Sequence, residues 1–114
     1  EFVMPFYTYT QNNSGGFFAY DDQRGVAEYV VVEADSAEQA NERAESAGLY
    51  FGGAGDCECC GNRWSTAWDD DAAPMVYGTP VEFQELVKNP VVYVHYADGR
   101  LVPGVVPGNE SRRN

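Results

Sequence analysis

Residues 26–48 read VAEYVVVEADSAEQANERAESAG, and the change of period inside this stretch decides the fold. Val26 to Ala34 is the most apolar run of the chain and reads as a central strand. Ser36 then stands where a helix cap belongs, with Gln39 three residues on, as a capping box requires. Asp35 and Glu38 suit the positive end of a helix dipole. Ala37, Ala40, Ala44 and Ala47 recur at helical spacing, so one face is built of small side chains that can approach a sheet closely. Glu38, Glu42 and Glu45 occupy the wet side. Gly48 is a natural stop, because glycine takes the left-handed conformation without penalty. A helix is therefore predicted at about 36–48, after which Leu49-Tyr50-Phe51 returns to the core.

Upstream, residues 3–10 (VMPFYTYT) alternate and are rich in strand formers, so a strand is predicted from about Pro5 to Gln11. Asn12 to Gly16 is a turn signal, and Phe17 to Tyr20 reads as the hairpin partner of that strand. Asp21 to Gly25 is a second turn. Downstream, Gly52 to Ala73 carries little periodic signal; a loop of that length in a small domain is uncommon unless it works or is held. Pro74 to Thr79 suggests a short strand, and Val81 to Val87 a short helix after Pro80. Val91 to Tyr96 (VVYVHY) is a strand, turned at Asp98-Gly99 into Leu101-Val102.

This order implies a single small α+β domain. An antiparallel sheet of about five strands packs on one main helix (about 36–48), with a long Cys/Trp-containing loop at about 52–73. The other face of the sheet needs a cover, from that loop or from another molecule. Residues 1–3 read as a cloning remnant before Met4, 4–102 as the domain and 103–114 as a tail. At 114 residues the chain buries enough apolar surface to need neither disulfide nor structural metal in order to fold.

The formal charge is −11, concentrated between Asp21 and Asp71, where 13 acidic residues face Arg24, Arg43 and Arg63. This balance opposes direct binding of nucleic acid, which needs a Lys/Arg surface, and of anionic membranes. It favours a protein partner with a basic surface, metal ions or mimicry of a polyanion, and it also keeps a protein soluble. Eight Tyr, six Phe and two Trp suit sheet faces and binding surfaces alike. No apolar run approaches the roughly 20 residues of a membrane span, and the opening lacks the pattern of a secretion signal.

All three cysteines fall in Cys57-Glu58-Cys59-Cys60, followed by Gly61-Asn62-Arg63-Trp64. Cys57-x-x-Cys60-Gly61 matches the turn of half a zinc knuckle; Cys59 and the only histidine, His95, would complete four ligands. A reduced structural cluster, a Cys57–Cys60 disulfide and a thiol-redox site are the alternatives. Arg63, Trp64 and Trp68 form a candidate aromatic clamp for a base or a partner side chain, unless both indoles anchor the loop. Asp69, Asp70 and Asp71 offer oxygen ligands to a hard cation but lack the alternate spacing of a calcium loop. No catalytic constellation is assembled in the sequence.

The segments Met4 to Tyr9, Gln11 to Gly16, Glu33 to Ser36 with Ala44 to Phe51, Asp56 to Trp64 and Val92 to Tyr96 with Asp98-Gly99 together resemble a family of small uncharacterised proteins of tailed bacteriophages. The resemblance spans roughly Met4 to Val102 and implies expression in the cytoplasm of an infected bacterium, without implying an activity. The expectation is a non-enzymatic binding protein that engages and modulates a host protein. A small-molecule (nucleotide) binding or sequestering protein is the first alternative, and a zinc-binding or thiol-redox protein the second.

Overall fold

The computed structural model describes residues 4–11, 20–49, 64, 70–76, 79–83 and 90–107. Strand β1 (Phe6–Thr10) runs antiparallel to β2 (Tyr29–Glu33), in a register from Phe6↔Glu33 to Thr10↔Tyr29. Helix α1 (Ala37–Ser46) follows. Four two-residue strands come next: β3 (Asp70–Asp71), β4 (Met75–Val76), β5 (Thr79–Pro80) and β6 (Glu82–Phe83). Strands β7 (Val92–His95) and β8 (Leu101–Val105) close the order. The sheet reads β3-β1-β2-β7-β8-β6, with β4 and β5 as a separate small hairpin.

The α+β class stands, with α1 the one helix among the described residues, packed on the sheet. The sheet, however, is mixed rather than antiparallel. β2 and β7 are parallel, from Tyr29↔Val92 to Val32↔His95. A parallel pair needs a long crossover, and here α1 and everything after it up to residue 91 supplies one. The helix begins as its sequence dictates. Ser36 is extended (φ −155°) and its Oγ accepts from the Gln39 N–H, while Gln39 Oε1 accepts from the Asp35 N–H. It ends at Gly48 (φ +108°), beyond which Leu49 N–H donates to the Ala44 carbonyl. Ala40 and Ala44 are fully buried; Ala37, at the first turn, is exposed.

The strand alternation sends Tyr7, Tyr9, Val30 and Val32 to the helix face, where they pack with Ala40, Ala44, Leu49 and Trp64. Phe6, Val31, Val92 and Val94 go to the opposite face, against Val76, Val81, Val91 and Val106. Val76 and Val81 thus pack on that second face, and Thr8 Oγ1 donates to the Met75 carbonyl there (2.7 Å). Val76, in the small β4–β5 pair, is fully buried in this cluster, while most of the long loop lies outside the described residues.

The predicted hairpin strand at Phe17 to Tyr20 lies outside the described residues apart from Tyr20, which is in no strand; β1 pairs with β2 on one side and, at Phe6 and Tyr7, with β3 on the other. Two local expectations change. Of the predicted helix at Val81 to Val87, the described part is not helical: Glu82 and Phe83 pair with Val105 and Gly104 at the free edge of β8, and 84–87 lie outside the described residues. Gly104 permits this, since a Cβ there would lie 2.6 Å from Val81 Cγ1. The last strand also outruns Val102, reaching Val105, with Val106 buried after it. The Asp98-Gly99 turn forms as read: Gly99 has φ +97° and Tyr96 N–H donates to the Arg100 carbonyl. Among the described residues no helix is long and apolar enough to cross a membrane.

Candidate functional site

The parallel pairing of β2 and β7 brings their C-terminal ends side by side, and one side chain closes them. Arg43 sits on the alanine side of α1, so its guanidinium is turned toward the sheet. Nη1 donates to the Glu33 carbonyl (2.6 Å) and Nη2 to the Tyr96 carbonyl (2.7 Å). Both carbonyls lie at or just past the strand ends; that of Tyr96 also accepts from the Gly99 N–H of the turn (3.0 Å). Charge-assisted bonds of this kind are about twice as strong as neutral ones.

An open cleft of about 630 Å³ lies beside this fork, lined by Arg24, Arg43, Ser46, Ala47, His95 and Leu101, with Gly99 at its rim. Arg24 reaches it from the tight 21–26 turn, in which Asp21 and Val26 exchange both backbone hydrogen bonds and Gly25 takes φ +76°. The Arg24 side chain crosses the helix end at Gly48, where a Cβ would lie 3.5 Å from Nη1. His95 ends β7, and its Nε2 is 2.8 Å from the Gly25 carbonyl. A carbonyl only accepts, so Nε2 carries the proton and Nδ1 is the bare nitrogen of the neutral ring.

Burial holds the His95 imidazole below its ordinary pKa of 6.5; the Gly25 carbonyl opposes this and the nearby Arg43 charge reinforces it. The ring is therefore neutral at pH 7. Because the unfolded chain takes up the proton first on acidification, the contribution of His95 to stability is complete above 6.5 and is lost as pH falls toward and through the lowered folded value. The ring-proton titration of this single histidine is expected to have its midpoint below 6.5. His95→Gln is expected to flatten that part of the stability loss between roughly pH 7 and pH 5. A titration midpoint at or above 6.5 would contradict the assignment.

The residues singled out from sequence fall in different places. Cys57, Cys59, Cys60, Arg63, Trp68 and Asp69 lie outside the described residues. Asp70 and Asp71 form β3, paired through Tyr7 and Phe6 with β1. Trp64 is 2% exposed, bridged to Gln11 and packed into the helix-face core, the position of an anchor. His95 faces the cleft with Nε2 already engaged. Among the described residues no three His, Cys, Asp or Glu side chains gather as a metal site. Sequence reading passed over Arg24 and Arg43. Arg43 carried a signal, since it falls between the buried alanines rather than among the glutamates. Arg24 carried none, because a turn residue gains its position only from the tertiary fold.

No curated protein and no solved structure matches the chain. A family model does, over residues 4–110. With nearly its whole length matched, the chain belongs to the family described as a domain of unknown function, DUF7296.

Proposed function

We propose that this is a non-enzymatic binding protein whose acidic helix face engages a protein partner with a basic surface. One observation carries the reading. Asp35, Glu38, Glu42 and Glu45 are all exposed, and none pairs with a cation among the described residues. The helix has one cation of its own, Arg43, and it is committed to two carbonyls on the inner side. An i, i+4 pair on the outer face would have neutralised part of the strip; among the described residues no cation pairs with these carboxylates. A single-sign face raises association rates with an oppositely charged partner and fixes its orientation.

The resemblance to tailed-phage proteins makes a bacterial host protein the natural partner, met in the cytoplasm of the infected cell. Capture from bacterial lysate tests this, with the wild-type chain and a Glu38→Lys/Glu42→Lys/Glu45→Lys variant. The expected result is a partner retained at low salt, weakened at about 0.5 M salt, where charges more than a few ångströms apart are screened, and lost on the variant. All three positions are exposed, so the fold tolerates the change. Equal capture by both chains, or none by the wild type, counts against the helix face.

A further inference from the structure

We propose that the cleft at the C-terminal ends of β2 and β7 binds a small organic phosphate, its anionic head between Arg24 and Arg43 and its apolar body on Leu101. The described part of this chain holds three cationic side chains, Arg24, Arg43 and Arg100. Two of them line one cleft, beside the only histidine, in a chain of net charge −11. Arg100 is occupied elsewhere, with Nε 2.8 Å from Asp98 Oδ2 and its guanidinium over the Tyr96 ring.

Arg43 is preorganised. Its two bonds to strand-end carbonyls use two of five N–H groups and hold the planar fork, so little side-chain entropy remains to be lost on binding. Arg24 is available. Its carboxylate neighbour, Asp21, is 3.7 Å away, and both side chains are largely exposed, a pairing worth little in water. Two guanidiniums from different elements match a dianion better than a monoanion, and a phosphomonoester is close to dianionic at pH 7. The helix end adds little opposing potential, since the carbonyls of Arg43, Ala44 and Glu45 are already bonded by the N–H groups of Ala47, Gly48 and Leu49. Leu101, 37% exposed, and Ala47 give the body of the ligand an apolar floor. A long polyanion is disfavoured by the surrounding carboxylates; a small one is not.

The test separates head from body. Amide and histidine-ring NMR of the whole chain at low salt and pH 7 is followed during titration with phenyl phosphate, inorganic phosphate and phenol. Phenyl phosphate is expected to give saturable shifts at His95, Gly99 and Leu101, inorganic phosphate weaker ones at the same residues, and phenol none. Arg24→Ala, which removes an exposed side chain and should leave the circular-dichroism spectrum unchanged, is expected to weaken phenyl phosphate about tenfold, the loss of one charge-assisted contact. Absence of saturable shifts with phenyl phosphate, phenol binding as well as phenyl phosphate, or an Arg24→Ala variant that binds like the wild type would each overturn the proposal.

Discussion

Replacing Trp64 with alanine is expected to remove about 3–5 kcal/mol of folding stability, the range for truncating a buried large aromatic side chain. Among the described residues the indole is the largest of the fully buried side chains, and it packs in the helix-face core with Tyr7, Tyr9, Val26 and Leu49. Its backbone bridges Gln11, whose amide side chain is itself buried and donates to the Ala27 carbonyl (3.1 Å). Removing the ring therefore opens a cavity between a sheet and a helix that cannot both move in. Domains of this size hold roughly 5–15 kcal/mol in total, so the variant should sit near the edge of folding at 37 °C. The urea midpoint read from the helical circular-dichroism signal measures the loss, and Trp64→Phe should lose distinctly less. If Trp64 instead served as an exposed clamp, the alanine variant would stay within about 0.5 kcal/mol of wild type. That result would remove the indole from the core.

How the fold could be read ahead of the structure follows from the range of each interaction. The strand at 26–34 and the helix after it were legible because period, cap and stop are local, and the bonds at Ser36, Gln39 and Gly48 form where those residues stand. The Asp98-Gly99 turn was legible for the same reason. The parallel β2–β7 contact was not. It joins Val32 to His95 across more than half the chain, and nothing in either strand states which neighbour it will take. The edge strand at Glu82–Phe83 read as helix because two residues are too short to show a period; its conformation comes from the edge of β8. Of the site, half was written in α1. An arginine among alanines at helical spacing has its charge on the buried side and must find acceptors there, which the ends of β2 and β7 supply. The same inward turn leaves the outer carboxylates of α1 without a cation of their own helix. One side-chain placement thus produces both the cationic cleft and the acidic face.

The position of Arg24 depends on its neighbour, and Gly25→Ala should expose that dependence, with a loss of about 2–5 kcal/mol. Two costs combine. Gly25 holds φ +76°, which an L-residue adopts at about 1–2 kcal/mol. A Cβ there would also stand 2.8 Å from Leu101 Cδ2 and 2.9 Å from His95 Nε2, and would press on Leu101 Cδ1; overpacking of this kind costs about 1–3 kcal/mol. Leu101 is partly exposed and its end can swing away. His95 cannot, because the Nε2 in contact is the one that donates to the carbonyl of Gly25 itself. Gly99→Ala is the matched control: φ is +97°, yet nothing lies within 4 Å of its Cβ position. The control should therefore lose the backbone cost alone. The difference in urea midpoint between the two variants isolates the crowding, and the His95 ring signals should move in Gly25→Ala and hold in Gly99→Ala. Equal losses with an unmoved His95 would mean that the turn carrying Arg24 yields freely, and that the cleft wall is not held by the His95–Gly25 contact.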